Sequence, residues 1–309
     1  MILCCGEALI DMIPEANLSG RSNFAPHAGG AIFNTAIALG RLDVSCGFVS
    51  GISTDLFGKI LLSELQASKV NTDNVIASDR PTTLAFVELT DGHATYVFYD
   101  ENTAGRMLQT ADLPDIPSGT SAMYFGGISL ISEPAADFYV DLALRHANDC
   151  VIIADPNIRS GFIKDEAAYR ARLDRLIAHV DIIKVSDEDL DWIVPGPLTH
   201  VEKAEILREM GPAIVVLTKG SAGASAIFGD DGVVQVPVQK VKVADTVGAG
   251  DTFNAGFLAS LSENDLLSRE NINRIDANDL KNALEYGAKV AAITVSRPGA
   301  NPPWAHELL

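Results

Sequence analysis

A short glycine-containing segment, Asp245 to Phe253, holds the residues that could most directly do chemistry. It reads Asp-Thr-Val-Gly-Ala-Gly-Asp-Thr-Phe and leads into an apolar run with helical spacing. Glycines at a helix start let the backbone turn sharply and leave several N–H groups free to bind an anion such as phosphate. Asp251 could cap the helix, or it could accept a proton from a hydroxyl that attacks a bound phosphate. The spacing alone leaves both interpretations open.

The commoner nucleotide and metal motifs are missing from the sequence. It contains no Gly-x-x-x-x-Gly-Lys-Ser/Thr segment, and Gly248-x-Gly250 lacks the third glycine of a dinucleotide fingerprint. The six histidines have no metal-binding spacing, so neither a zinc site nor a histidine base is indicated. The four cysteines form no Cys-x-x-Cys pair, which favours buried thiols in a reducing compartment.

Three other polar groups follow or adjoin short apolar runs. Asp11 lies at the expected end of a strand, Gly29-Gly30 with Asn34 opens a helical pattern, and Arg159 follows Asp155. Individually, Asp11 could be a turn former, the glycines the start of a helix, and Arg159 a solvated surface residue. Together they form the kind of polar set that holds a neutral polyol by hydrogen bonds.

Short apolar runs alternate with helical patterns along most of the chain. The paired runs are 2–5 with 31–42, 46–50 with 57–68, and 150–154 with 166–179, and the series continues with strands at 182–185 and 214–218 and helices near 252–261 and 277–293. This alternation predicts crossover units and a parallel sheet with helices on both faces. We expect a single domain over 1–309.

One segment, 83–99, breaks this alternation and predicts a β-hairpin. Two β-rich runs, 83–89 and 94–99, flank the turn formers Asp91-Gly92. Both faces of the hairpin are apolar, so it either packs under a helix or forms a lid, with one face over a substrate and the other against a second subunit in a homodimer. A second predicted hairpin, 224–236, would border the sheet.

Composition sets limits on partners and location. The chain has 309 residues, is 47% hydrophobic, and has 23 basic against 41 acidic residues. A net charge of −18 argues against nucleic acid or an anionic membrane surface as the main partner. No stretch of about 18 apolar residues predicts a membrane span, and the start of the sequence lacks a basic signal-peptide region. We therefore expect a cytoplasmic protein.

The segment Asp245 to Phe253 closely resembles the C-terminal signature of the ribokinase-like (PfkB) carbohydrate kinases. Gly29-Gly30-Ala31 with Asn34 resembles their N-terminal signature, and 6–11 their opening strand. The resemblance covers essentially the whole chain. Within the family it is closest to bacterial fructokinases, through 7–11, 98–105 and the Asp-Pro-Asn-x-Arg element at 155–159. It implies a ribokinase-like α/β fold: a mostly parallel central sheet flanked by helices on both faces, with a small β-hairpin lid formed mainly by about 12–25 and 82–100.

The resemblance also implies an ATP-dependent sugar kinase, most simply one that converts D-fructose to D-fructose 6-phosphate. Asp251 would be the base, and Arg159 with the N–H groups of Gly248, Ala249 and Gly250 would stabilise the transferring phosphoryl group. The sugar would contact Asp251 and the following residues: Asp11, Gly29, Gly30, Asn34 and Phe98.

ATP and metal ions are the cofactors that the resemblance implies. The nucleotide would lie against Gly248, Gly250 and five residues further along the chain: Thr218, Gly220, Gly223, Asn282 and Ala288. Asp189 or Glu188 would hold Mg²⁺ through water, although acidic residues at a helix start could simply favour the helix dipole. A possible K⁺ would bind at Asp245 and the carbonyls of Val247 and Gly299.

Other functions remain open at this point. A 2-keto-3-deoxygluconate kinase would need a cation beside the lid for its substrate's carboxylate. Asp100 and Glu101 disfavour that activity, although Arg106 could reach. Ribokinase and nucleoside kinase activities rank below both fructokinase and 2-keto-3-deoxygluconate kinase activities. A different class, a sugar- or nucleotide-binding regulator without catalysis, would be recognised by binding without turnover.

Overall fold

The computed structural model describes residues 1–15, 23–90, 93–230 and 232–308, with backbone only at 88–90 and 93–96. Its strands are β1 (Ile2–Cys5), β2 (Leu9–Glu15), β3 (Asn23–Gly29), β4 (Cys46–Val49), β5 (Gly51–Ser53), β6 (Ile76–Ser78), β7 (Leu84–Thr90), β8 (His93–Tyr99), β9 (Ala122–Gly126), β10 (Val151–Asp155), β11 (Ile182–Ser186), β12 (Ile214–Thr218), β13 (Ala224–Phe228) and β14 (Gly232–Val236). Its helices are α1 (Ala31–Arg41), α2 (Leu56–Ala67), α3 (Ala135–His146), α4 (Glu166–Ile177), α5 (Asp187–Ile193), α6 (His200–Glu209), α7 (Ala249–Glu263), α8 (Arg269–Ile272) and α9 (Ala277–Val295).

The main sheet has the strand order β14-β13-β12-β11-β10-β9-β1-β4. Strands β4, β1, β9, β10, β11 and β12 pair in parallel, and β13 and β14 continue the sheet antiparallel. Neighbouring residues of one strand belong to different cores: Cys4 packs with residues of α1 and α7, whereas Cys5 packs with residues of α3 and α4. The sheet is thus covered on both faces, which explains why its parallel strands are mainly apolar. The predicted fold class is confirmed.

One predicted feature of this sheet is present, and one strand of it was not predicted. The predicted hairpin at 224–236 is present as β13 and β14 at the sheet edge, with residue 231 outside the described part. Strand β9, central in the sheet, was not in the predicted series. Its five buried residues, Ala-Met-Tyr-Phe-Gly, form too short an apolar run to stand out.

A second sheet, which we call the lid, has the order β3-β2-β7-β8. The predicted hairpin forms β7 and β8, while its turn at 91–92 and residues 16–22 of the predicted lid lie outside the described residues. The hairpin joins β2 rather than lying alone under a helix. Asp11 is the third residue of β2, so the expectation that it ends a strand is wrong. Pairing of Asp11 with Ala85, and of Ala85 with Phe98, puts these three residues on one face.

Helices in the described residues complete the two layers around the main sheet. Helix α7 packs along α9 in the same layer as α1. None of the described helices combines the length and apolar composition that a membrane crossing needs.

Candidate active site

A cavity of about 370 Å³ lies at the carboxyl ends of β1, β10 and β11 and is covered by the lid. We call it the acceptor cavity. This edge of a parallel sheet is where α/β proteins bind their ligands. The cavity brings together the predicted residues Asp11, Gly30, Asn34, Phe98, Arg159, Val247, Gly248, Ala249, Gly250 and Asp251.

Asp251 faces the acceptor cavity from the first turn of α7. Gly248 occupies the N-cap position of α7 in a left-handed conformation (φ 75°), and no side chain caps the helix. The Asp251 carboxylate instead accepts a hydrogen bond from Asn34 Nδ2 at 2.8 Å. The cap interpretation of Asp251 is therefore wrong.

Burial raises the pKa of Asp251 to about 7, against the opposing effect of the Asn34 hydrogen bond. The negative charge of Asp155 raises this pKa further. A carboxyl group that titrates near neutral pH can both accept and release a proton at that pH, as a general base must. The N–H groups at the start of α7 lie beside it and can hold an anion.

The glycine pair Gly29-Gly30 makes room for the Asp11 carboxylate and for the backbone of Glu7. A Cβ on Gly29 would lie 2.2 Å from Asp11 Oδ2, and one on Gly30 would lie 2.9 Å from the carbonyl oxygen of Glu7. Gly30 also has a φ of 111°, which disfavours residues with side chains. Burial raises the pKa of Asp11 to about 6. Gly29 thus shapes the site by leaving space for Asp11, although Gly29 itself does not line the cavity.

Glu7 is a site residue that the sequence analysis did not select. It is 9% exposed, lines the acceptor cavity, and accepts hydrogen bonds from the N–H groups of Ala31 (2.9 Å) and Ser129 (3.3 Å). Burial raises its pKa. Because the N-cap residue Gly30 has no side chain, Glu7 provides the oxygen that binds the N-terminus of α1. Only the fold reveals this contact, since Glu7 and Ala31 are 24 positions apart.

Lys184 is a second missed residue, and it is the buried cation of the site. Its Nζ lies 2.9 Å from Asp155 Oδ2, and a Cβ on Gly250 would lie 3.5 Å from the same Nζ. Burial lowers the pKa of Lys184, but the charge and hydrogen bond of Asp155 outweigh this, and the pKa is raised. Lys184 therefore carries its charge directly against the anion-binding loop. The position of a lysine within the buried strand Ile-Ile-Lys-Val-Ser is the sequence feature that could have indicated a buried cation.

Asp155 links this cation to α7. Its Oδ2 also accepts a hydrogen bond from Asn254 Nδ2 at 2.7 Å, and the same amide group donates to the Tyr124 hydroxyl at 2.7 Å. Among the described residues, Asp155 Oδ1 has no hydrogen-bond partner. Asp155 also lines the acceptor cavity. Its Oδ1 is therefore a buried acceptor without a hydrogen bond among the described residues.

Arg159 lies exposed after β10, where it lines both the acceptor cavity and a neighbouring cavity of about 330 Å³. Its guanidinium donates to the carbonyl oxygens of Asn157 (3.3 Å) and Ile158 (3.2 Å). It has no carboxylate partner among the described ion pairs. The side chain can therefore turn toward an anion between the two cavities.

Of the two residues predicted to hold Mg²⁺, Asp189 uses both of its carboxylate oxygens to accept hydrogen bonds from backbone N–H groups. Asp189 Oδ1 accepts from Ile158 N (2.9 Å), and Oδ2 accepts from Ser186 N (3.2 Å) in a capping box at the start of α5. Glu188 is exposed, and both it and Asp189 line the 330 Å³ cavity beside Arg159. The described residues contain no group of three His, Cys, Asp or Glu side chains that could hold a metal. Mg²⁺ usually binds with one or two carboxylates, waters and substrate phosphates, so Glu188 fits this role better than Asp189.

The residues predicted to hold K⁺ are brought together at the anion loop. Asp245 accepts hydrogen bonds from Val247 N (3.0 Å) and Gly299 N (2.9 Å). These bonds fix the loop to the turn at Gly299, whose φ is 68°. The carbonyl oxygen of Gly299 accepts a hydrogen bond from Asn301 N at 2.8 Å, and the K⁺ assignment stays a prediction.

The predicted nucleotide residues outside the anion loop do not line the acceptor cavity. Thr218 ends β12 and Gly223 has a φ of 92°, where a Cβ would lie 2.2 Å from the carbonyl oxygen of Val236. Gly220 is exposed, as is Asn282 on α9, and Ala288 is half-buried on the same helix. Gly223 is thus required by the backbone, while the nucleotide contacts of these residues stay predictions.

The fold and site together define a class. A β-sheet lid covers a cavity in which a carboxylate with a pKa near 7 lies beside an anion-binding helix start and a buried lysine. This arrangement is that of a phosphotransferase acting on a hydroxyl group.

The comparisons with known proteins agree. The family description "pfkB family carbohydrate kinase" matches residues 1–307. The chain is 52% identical to a fructokinase of Rhizobium leguminosarum bv. trifolii, covering 91% of this chain and 86% of that protein. A crystal structure of fructokinase with bound ATP from Xylella fastidiosa superposes with a TM-score of 0.90 at 26% identity, covering 99% of this chain and 97% of that one. An aminoimidazole riboside kinase from Salmonella enterica superposes with a TM-score of 0.83, also at 26% identity and with the same coverage.

The chain belongs to the pfkB family of carbohydrate kinases. The predicted family, the ribokinase-like fold and the predicted sugar phosphotransferase activity are confirmed.

Proposed function

We propose that this protein transfers the γ-phosphoryl group of ATP to the primary 6-hydroxyl of D-fructose, with Asp251 as the base. The observation that carries the proposal is the Asp251 carboxylate, which Asn34 holds at 2.8 Å beside the anion loop and whose pKa is about 7. The 52% identity to the Rhizobium leguminosarum fructokinase supports D-fructose as the acceptor. The ATP bound in the Xylella fastidiosa fructokinase structure supports ATP as the donor.

In the proposed reaction, the residues of the acceptor cavity bind and orient the sugar. Asp11 and Asn34 hydrogen-bond its hydroxyl groups. Gly29 leaves space for the Asp11 carboxylate, Gly30 allows the sugar to approach closely, and Phe98 covers it from the lid. Asp251 accepts the proton of the attacking hydroxyl, which makes the oxygen nucleophilic as the bond to phosphorus forms. Closure of the lid excludes water, which could otherwise take the phosphoryl group.

The negative charge of the transferring group is balanced by fixed donors. The N–H groups of Gly248, Ala249 and Gly250 would donate to it, with Ala249 N giving up its 3.3 Å contact to the carbonyl oxygen of Thr246. The Lys184 ammonium and the Arg159 guanidinium would add positive charge. Such preorganised groups stabilise charge that develops in the transition state.

The nucleotide and ions would occupy the remaining predicted positions. ATP would lie against Thr218, Gly220, Gly223, Asn282 and Ala288. Mg²⁺ would be held through water by Glu188, with Asp189 fixing the helix start, and would neutralise charge on the ATP phosphates. K⁺ would bind at Asp245 with the carbonyls of Val247 and Gly299.

An ADP-release assay with MgATP tests the proposal. The panel is fructose, glucose, ribose, adenosine and 2-keto-3-deoxygluconate, and each sugar is run with wild type and with Asp251→Ala. We expect fructose to give the highest kcat/KM and Asp251→Ala to lower kcat by at least about 10², with sugar binding retained. Full turnover by Asp251→Ala would contradict the base assignment. Binding without any turnover would instead support a regulator.

One contact bears on the alternative acceptor 2-keto-3-deoxygluconate. Its carboxylate needs a cation beside the lid, and Arg106 is the candidate. Arg106 already donates to Asp100 Oδ1 at 2.7 Å and to the carbonyl oxygen of Glu133 at 3.2 Å. A substrate carboxylate would have to displace Asp100, which favours a neutral sugar.

We further propose that two copies of the chain pair through the outer face of the lid, in the cytoplasm. Phe24, Val97 and Tyr99 are 40%, 44% and 57% exposed, and the Phe86 ring packs against both Phe24 and Tyr99. The face opposite Asp11 and Phe98 is thus apolar, and a second lid of the same composition would cover it.

A further inference from the structure

Helix α1 carries Asn34 in its first turn, and that turn provides no cap of its own. Its N-cap residue, Gly30, has no side chain, and the first turn contains no acidic residue. Asn34 N donates to the carbonyl oxygen of Gly30 at 2.8 Å, which is the first hydrogen bond of the helix. An uncapped helix start frays easily, because its first N–H groups have no partner within the helix. Fraying of α1 would therefore displace Asn34.

The Glu7 carboxylate supplies the missing cap from the loop between β1 and β2. Its Oε1 accepts a hydrogen bond from Ala31 N at 2.9 Å, and its Oε2 accepts one from Ser129 N at 3.3 Å. A Cβ on Gly127 would collide with the same carboxylate, and Gly127 has a φ of 64°. The backbone around Glu7 is thus shaped to receive its carboxylate, and both oxygens hold backbone N–H groups.

The start of α1 in turn holds Asp251 at two points. Asn34 Nδ2 donates to Asp251 Oδ2 at 2.8 Å. Thr35 Oγ1 lies 3.2 Å from the carbonyl oxygen of Asp251, within hydrogen-bond distance. The carboxylate and the backbone of Asp251 therefore both depend on the position of this turn.

From these contacts we propose that Glu7 is a positioning residue: by capping α1, it holds the Asn34 amide on the Asp251 carboxylate. Glu7 acts through the helix and not on the sugar, since both of its oxygens accept backbone N–H groups. This role deepens the proposed function and rests on it, because it serves catalysis only if Asp251 is the base.

The charge of Glu7 is a separate influence on Asp251. Burial raises the pKa of Asp251, and the charges of Asp155 and Glu7 raise it further, whereas the Asn34 hydrogen bond and the charge of Lys184 lower it. A Glu7 variant on its own therefore changes charge and position together. The effect of Asn34→Ala, measured with and without Glu7, isolates the position, because the charge of Glu7 is the same in each compared pair.

The titration of Asp251 in the full chain without ligands tests the proposal. It is followed by the carboxyl carbon NMR signal that Asp251→Asn removes. In the wild-type background, Asn34→Ala should raise the pKa of Asp251 by about 1 to 2, the effect of one hydrogen bond to a charged group. In the Glu7→Ala background, the same change should raise this pKa by less than half as much, because Asn34 is no longer held on the carboxylate.

Asp165→Ala is the matched control for the loss of a capping carboxylate. Asp165 caps α4 by accepting a hydrogen bond from Ala168 N at 3.0 Å, and no residue of α4 lines the acceptor cavity. The full effect of Asn34→Ala should remain in this background. An effect of Asn34→Ala that is equal in wild type and Glu7→Ala, or that is absent from wild type, would overturn the proposal.

Gly127→Ala displaces the Glu7 carboxylate without changing α1 or Asp251, and so tests the same role if Glu7→Ala does not fold. Its control is Gly229→Ala, at a φ of 53° with no atom within 4 Å of the added Cβ. The effect of Asn34→Ala should be reduced only with Gly127→Ala, and equal effects in the two backgrounds would contradict the role of Glu7. Because the titration needs no turnover, a lack of turnover across the sugar panel would count against the proposed function alone.

Discussion

At the scale of single residues, the raised pKa of Asp251 predicts an acidic limb in the rate profile. The carboxylate acts as a base only when ionised, and its pKa is about 7. Below that pH, kcat should fall by about tenfold per pH unit. Asn34→Ala removes the hydrogen bond that lowers this pKa, so the limb should move to higher pH. Single-turnover rates measured from pH 5.5 to 9 test for the acidic limb in wild type and for its displacement to higher pH in Asn34→Ala. The exposed Asn273→Ala is the control. A profile flat down to pH 5.5 would contradict the base assignment.

The same pKa predicts how the stability of the fold depends on pH. The folded-state pKa of Asp251 is raised from 3.8 to about 7, so the folded protein binds more protons than the unfolded chain between these values. The contribution of Asp251 to stability therefore falls as the pH rises through that window. Asp251→Asn should raise the thermal midpoint more at pH 8 than at pH 5. An equal change at the two pH values would show that the carboxyl group titrates normally.

The pair Lys184–Asp155 predicts a large loss of stability when its cation is removed. The two side chains are 10% and 2% exposed, so Lys184→Met leaves a buried carboxylate unpaired. The free energy of unfolding should fall by about 3–5 kcal/mol. The matched control is Lys69→Met, since Lys69 and Asp43 are each 59% exposed and their pair should contribute less than about 1 kcal/mol. Urea unfolding at pH 8 measures the free energy of unfolding of both variants. Similar decreases in Lys184→Met and Lys69→Met would mean that Lys184 is not a buried ion-pair partner.

The sequence identifies the site residues that belong to a recognisable local motif. Asp251 stands within a recognisable loop and Asn34 follows a glycine pair, so the sequence alone indicates both residues. Glu7 and Lys184 act through partners that are distant in sequence, Ala31 and Asp155. No local sequence pattern identifies the partner of a buried charged residue in a short strand. Its role is clear only when the fold places the strands side by side.

At the scale of elements, the contact between α7 and α9 controls where Asp251 lies. A Cβ on Gly256 would lie 2.9 Å from Gly287 Cα and 3.0 Å from the carbonyl oxygen of Tyr286. Gly256→Ala should therefore destabilise the protein, although alanine favours a helix by about 1 kcal/mol, because the helices must move apart. It should also lower kcat, since α7 carries Asp251. Glu285→Ala on the exposed side of α9 is the control. Unchanged stability and kcat in Gly256→Ala would contradict this packing argument.

Most elements of the main sheet were predictable because strands buried on both faces are mainly apolar and alternate with helices, although the central strand β9 was not. The lid was only half predictable. Its hairpin has a local turn signal at 91–92, whereas β2 and β3 contain Asp11, Pro14, Pro26 and His27, which interrupt any apolar alternation. The parallel pairing of β2 with β7 joins segments more than 70 positions apart, and no local pattern specifies it.

At the scale of the whole molecule, the lid connects the acceptor cavity to the proposed dimer. Its inner face carries Asp11 and Phe98, and its outer face carries the exposed Val97 and Tyr99. A partner packed on the outer face would hold the inner face over the sugar. Assembly and sugar affinity should therefore change together.

Val97→Glu tests this connection, because a charge placed on the outer face must be buried without a partner if the lids pair. By light scattering at micromolar concentration, wild type should have about twice the 32.8 kDa mass of one chain, and Val97→Glu should approach that single mass. The KM for fructose should rise in the variant, because the lid strands that carry Asp11 and Phe98 lose their support. Val233→Glu, at a 49% exposed position on β14 of the main sheet, should change neither quantity. A wild-type monomer, or a monomeric Val97→Glu with unchanged KM, would show that the lid closes over the sugar without a second copy.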